Sequence, residues 1–128
     1  NNDNRLDLAI TGNLYTGSSK TQIYLNEDGI LNVDNLQPRM ANVYGGHLSF
    51  VDYNNDGYVD LYICNSSGDK IYENLGDGEF FQKNNLSLNR KNDSHKSLFL
   101  DLDLEGDLDL FIISEGNNSF FRNSFIYY

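Results

Sequence analysis

The chain has 128 residues, 19 acidic against 9 basic, a net charge of −10, one Cys and one Pro. That length suits one domain, the acidity leaves no basic stripe for a nucleic acid, and no apolar run is long enough to span a membrane. A single cysteine excludes an internal disulfide.

In chain order, Asn1-Asn2-Asp3-Asn4-Arg5-Leu6-Asp7 places oxygen-bearing or short polar residues ahead of an apolar segment, Leu8-Ala9-Ile10, which reads as a strand. A second strand ends at Tyr24-Leu25-Asn26 and runs into Glu27-Asp28-Gly29, a hairpin turn in which glycine supplies positive φ. His47-Leu48-Ser49-Phe50-Val51 is a strand leading into Asp52-Tyr53-Asn54-Asn55-Asp56-Gly57-Tyr58-Val59-Asp60-Leu61. After Leu61-Tyr62-Ile63 come Tyr72-Glu73-Asn74, the turn Leu75-Gly76-Asp77-Gly78 and a third strand at Glu79-Phe80-Phe81. The same order returns with Lys96-Ser97-Leu98-Phe99-Leu100, the loop from Asp101 to Leu110, the strand Leu110-Phe111-Ile112, and Phe121-Arg122-Asn123.

The central loop reads D-x-N-x-D-G-x-x-D-L, a spacing that wraps oxygen donors around one hard cation. Calcium takes six to eight such ligands, so Asp52, Asn54, Asp56, Asp60 and the Tyr58 carbonyl form a candidate set. An EF-hand is excluded. Its loop closes with a bidentate Glu at the twelfth position between two helices, whereas here that position is Ile63 and the flanks alternate as strands do. Asp101, Asp103, Glu105, Asp107 (through its carbonyl) and Asp109 occupy the same positions in the third loop, and Asn1, Asp3, Arg5 (through its carbonyl) and Asp7 in the first. Asn4 replaces glycine there, and Asn is among the residues that best tolerate left-handed φ. The closing aspartates Asp7, Asp60 and Asp109 lie 53 and 49 residues apart. Four short strands per unit of that length match the period of a propeller blade.

Taken together, Gly46 to Leu61 and Lys70 to Phe80 resemble an FG-GAP/VCBS repeat, the calcium-loop repeat of integrin α heads and many bacterial surface proteins. The resemblance implies an all-β fold of propeller-type blades with four antiparallel strands each and a calcium loop between the first and second strand. It divides the chain into a partial repeat at 1–44, a complete one at 45–93 and a partial one at 94–128, together one segment of a larger propeller or repeat assembly. It implies a secreted or surface location. Two departures stand out: the Phe-Gly pair that names the family is Phe50-Val51, and Glu105 replaces Asp at the fifth loop position.

The loops carry ten of the nineteen acidic residues. Two carboxylates about 4 Å apart repel by roughly 4 kcal/mol at a surface-like dielectric, so Ca2+ is the expected cofactor: two ions, with a third at the first loop. The alternative is solvated acidic turns. Cys64 is expected to be a small buried hydrophobe, and His47 and His95 to be structural, since no nucleophile or ligand spacing accompanies them. Asn65, Asn85, Asn92 and Asn117 begin N-x-S sequons. No catalytic motif is present. The expected function is a non-catalytic module for adhesion or for protein or glycan binding. A segment of an extracellular multi-copy assembly and the propeller part of a polysaccharide-active enzyme are the alternatives. The expected partners are a protein or glycan ligand and further blades from a longer chain or other copies, with no nucleic acid and no membrane span.

Overall fold

Among the described residues ten short strands, all paired antiparallel, make three sheets, and no helix occurs. The computed structural model describes residues 3–13, 17, 19–34, 45–76, 78–83 and 94–122. Asn1, Asp77, Asn123 and the sequon residues Asn85 and Asn92 therefore lie outside the described residues.

The first sheet holds β1 (Leu8–Asn13), β2 (Ser19–Glu27) and β3 (Ile30–Val33) in that order. The turn between β2 and β3 is a two-residue loop with positive φ at both Asp28 (54°) and Gly29 (88°), the twist that matches a hairpin. The second sheet has four strands in order: β4 (His47–Val51), β5 (Asp60–Cys64), β6 (Lys70–Asn74) and β7 (Phe80–Lys83). Its last strand starts at Phe80, so Glu79 belongs to the turn and not to the strand the sequence places it in. The third sheet joins β8 (Ser94–Leu100), β9 (Asp109–Ser114) and β10 (Ser119–Phe121), with a register shift between Ser94 and Lys96. The acidic loops bridge β4 to β5 and β8 to β9.

The sheets are glued by residues of alternate parity. Leu61, Ile63, Tyr72 and Phe80 of the second sheet pack on Ile23 of the first, with Ala9, Leu25 and Leu48 around them. Tyr62, Cys64 and Ile71 face the other way, onto Leu110 and Ile112 of the third sheet. Strand β5 is thus buried along its whole length. A strand covered on both faces reads as a near-continuous apolar run, which is why Tyr62 is core and not the outward member of an alternating pair. It meets Phe99 edge-on, ring centroids 5.5 Å apart. Cys64 is a free, buried thiol, as its strand position implies.

Polar contacts fix the sheets at their inner ends. Between the first and second, the Gly45 amide donates to Thr11 Oγ1 (2.9 Å), which also accepts from Thr21. Between the second and third, Asp69 accepts hydrogen bonds from the Tyr62 hydroxyl (2.6 Å) and from Ser94 Oγ (2.9 Å). Alongside them His47 Nδ1 lies within reach of Ser97 Oγ and the Ser97 amide, and Ser49 Oγ bonds Ser97 Oγ at 2.8 Å. Because the Ser97 amide donates to it, Nδ1 is the unprotonated nitrogen, and burial first, then the Lys96 charge, lowers the His47 pKa.

Candidate metal centre

The two complete loops are tied by the same hydrogen bonds. Asp52 accepts the amides of Asp56 (3.1 Å) and Gly57 (2.9 Å); Asp101 accepts those of Glu105 (3.1 Å) and Gly106 (3.0 Å). Asn54 Oδ1 also accepts from the Asp56 amide, and Asp103 Oδ1 from that of Glu105. Gly57 and Gly106 sit at φ 87° and 94°, which turns the chain back toward the closing aspartate. In the first loop Asn4 holds the equivalent place at φ 64°, as its residue type allows, and Asp3 accepts the Arg5 amide at 2.9 Å.

The closing aspartates explain the recurring aromatic-x-Asn. Asp60 Oδ1 accepts the Asn74 amide (2.8 Å) and Asp7 Oδ1 the Asn26 amide (2.9 Å), while the two Asn side chains donate back to the carbonyls of Val59 and Leu6. The second oxygen of Asp60 takes the Tyr53 amide, and that of Asp109 the Leu102 amide, both at 3.3 Å. Each closing Asp thereby stitches the loop to its own sheet.

Asp60 is completely buried and its pKa is pushed up from 3.8 to about 6. Burial is the main cause; the amides of Asn74 and Tyr53 oppose it, and the charges of Asp56 and Asp52 add to it. Negative charge therefore converges where the loop closes. Asp109 is equally buried, and Asp107 is 5 % exposed.

Among the described residues no three His, Cys, Asp or Glu side chains are gathered closely enough to hold a metal ion by themselves. The donors are instead strung along the loops, where Asp52, Asp60 and Asp101 accept loop and strand amides. Carboxylate, amide and main-chain oxygens without nitrogen or sulfur suit a hard cation, so Asp52, Asn54, Asp56, Asp60 and the Tyr58 carbonyl fit one. Asp101, Asp103, Glu105, Asp109 and the Asp107 carbonyl fit a second. In the first loop only Asp3, Arg5 and Asp7 of the candidates are described, and the Arg5 guanidinium pairs with Asp28 at 2.8 Å.

One partner was not visible in the sequence. Glu73, the middle residue of Tyr72-Glu73-Asn74, accepts from Asn54 Nδ2 (3.0 Å) and ion-pairs with Lys83. Its counterpart Arg122 pairs with Asp103 at 3.4 Å. In both repeats this residue faces the third loop position, with the sign of its charge suited to the loop residue it meets. The signal was present in the repeat alignment, but only the pairing of β6 with β5 brings the two ends together.

Antiparallel sheets in which an acidic, glycine-centred loop joins adjacent strands, recurring along the chain, define a β-repeat class. The profile of the FG-GAP-like repeat matches residues 1–63 and 52–112, and the chain belongs to that family. Both matched segments end on equivalent residues, Ile63 and Ile112, just past an acidic loop. No curated protein and no solved structure matched the chain.

Proposed function

We propose that this chain is a calcium-stiffened repeat module of an extracellular protein, non-catalytic, whose sheets are blades of a propeller and whose loop edge serves adhesion or protein or glycan binding. The observation that carries this is the identical amide network around Asp52 and Asp101, which holds oxygen donors at matching positions in two loops. Bound calcium would neutralise the charge that converges on Asp60. The chain's own part is mechanical: Asp60 and Asp109 fasten each loop to its sheet, Asp52 and Asp101 curl it, and Glu73 and Arg122 brace its third position. The loop edge offers a partner exposed apolar side chains, Leu6, Val59, Leu102 and Leu104, beside acidic ones. A half-open groove of about 510 Å³ adjoins it between the first two sheets, lined among others by Arg5, Asp34, Phe50 and Phe80.

Melting with calcium and with EDTA, at pH 7 and pH 5, tests the reading. Without a cation the ionised Asp60 opposes folding. Its raised pKa removes stability as pH climbs from about 4 through about 6, by roughly 3 kcal/mol at most. His47 acts oppositely, losing its contribution as pH falls below 6.5, but it does so with or without calcium. The calcium-minus-EDTA difference is therefore expected to be larger at pH 7 than at pH 5. Equal melting in calcium and EDTA at both pH values would sink the calcium reading.

A second reading, a segment of a multi-copy assembly, draws support from two open faces. Leu8 and Ile10 are 39 % and 49 % exposed, while their equivalents Leu61 and Ile63 are fully buried against the preceding sheet. At the other end Ile113 and Phe120 are 41 % and 45 % exposed, where Cys64 and Ile71 are covered by the next sheet. Each face fits a further sheet of the same repeat, from a longer chain or from another copy. Sedimentation of the 128-residue chain is expected to show reversible association that Phe120→Asp weakens; a monomer at all concentrations removes the multi-copy form.

A further inference from the structure

The two complete loops touch. Asn55 Nδ2 donates to the Gly106 carbonyl at 2.9 Å, across 51 residues of sequence. Both ends of this bond are conformationally committed. Asn55 sits at φ 57° and Gly106 at φ 94°. The amide of Gly106 is held by Asp101 Oδ2, and that of its neighbour Glu105 by Asp101 Oδ1 and Asp103 Oδ1. The residue that receives the Asn55 bond is thus also the one that curls the third loop around its first donor. On the other side, the Asp56 amide that follows Asn55 is bound by Asp52 and Asn54. Whatever draws Asp52 and Asn54 together fixes Asn55, and whatever fixes Asn55 holds Gly106.

We propose that Asn55 is a positioning residue that couples the loops, so that a cation at 52–60 raises the affinity of 101–109 and the reverse. The proposal rests on reading both loops as calcium sites. Its physical basis is shared ordering: the first ion to bind immobilises one loop, the Asn55 bond passes part of that order to the other, and the second ion meets a loop already curled. Reciprocity follows from linkage. Leu104 takes the place of Asn55 in the third loop, at φ 62° and 86 % exposed, and carries no amide to extend the bridge. The bridge therefore does not run on from the third loop.

Calcium chloride titration of the 128-residue chain by calorimetry at pH 7 tests it. Asn55→Gly removes the side-chain bond without straining this φ, and the backbone freedom that glycine adds is read separately in the chain with the third loop disabled. In the natural chain the second ion of the tight pair should bind about fivefold more strongly than the first, after statistical correction, at the low end for coupled sites. In Asn55→Gly the two should become independent. With the third loop disabled by Asp101→Ala, or by Asp101→Asn if the first misfolds, Asn55→Gly should change the remaining affinity less than about twofold. Unchanged cooperativity in Asn55→Gly overturns the proposal. So does an equal loss of affinity in both backgrounds, which would mean Asn55 acts only within its own loop. A natural chain that binds no calcium strikes down the calcium reading itself, and the coupling with it; two independent sites in the natural chain leave that reading standing and remove the coupling alone.

Discussion

Asp60→Ala should lower the melting temperature in EDTA and abolish the calcium response of the central loop, whereas Asp60→Asn should abolish the response with a smaller effect in EDTA. Alanine strips the acceptor from the amides of Tyr53 and Asn74, and Asn74 is 4 % exposed, so its N–H is left buried and unmet. That costs about 2 kcal/mol, on the order of 8 °C for a chain of this size. Part of the loss is offset because the buried charge disappears with the side chain. Asparagine keeps an oxygen for the Asn74 amide and removes the same charge, but sets a nitrogen against the Tyr53 amide, so its cost in EDTA is smaller, about 1 kcal/mol. Two variants with equal loss of calcium response but unequal loss of stability separate the stitching role of Asp60 from its role as a donor. Differential scanning fluorimetry of the three chains, with and without calcium, reads both. Equal calcium shifts in all three would remove Asp60 from the donor set.

What the sequence discloses here is what both ends of an interaction write into it. The spacing from the closing aspartate to aromatic-x-Asn is legible because Asp60 holds the Asn74 amide and Asp7 holds that of Asn26, so each bond leaves a residue at either end. Positive φ at Asn4 and Gly57 is likewise visible in residue type. The burial of Tyr62 is not. The segment around it alternates apolar and aromatic or polar residues, and only the third sheet, placed by a chain return thirty residues later, turns its second face into core. Glu73, Asn55 and Asp69 are ordinary polar residues in the sequence, and nothing in their spacing marks the bonds to Asn54, Gly106 and Ser94. Their partners lie 19, 51 and 25 positions away and are chosen by register and sheet packing.

Those long-range bonds also differ in what they hold, and Asp69 holds the most. It is 9 % exposed and accepts from the Tyr62 hydroxyl, from Ser94 Oγ and from the Asn65 amide (2.9 Å), one donor from β5, one from β8 and one from its own turn. Asp69→Ala leaves three donors in or beside the core between the second and third sheets, with an expected cost of about 3 kcal/mol. Asp69→Asn should be milder, about 1 kcal/mol. The third sheet itself carries Asn118 at the equivalent place, where its Oδ1 accepts the Ser114 amide at 3.3 Å, so an amide can serve the turn. What its nitrogen cannot do is accept, and the Tyr62 and Ser94 hydroxyls both bond the one oxygen that this nitrogen would replace. The damage should therefore be directional. In hydrogen exchange, Asp69→Ala should raise the opening of β8 to β10 more than that of β1 to β3, whose own link to the second sheet runs through Thr11 and the Gly45 amide and is untouched. Uniform loss of protection across all three sheets would instead mean that the sheets unfold as one unit and that Asp69 fastens no particular joint.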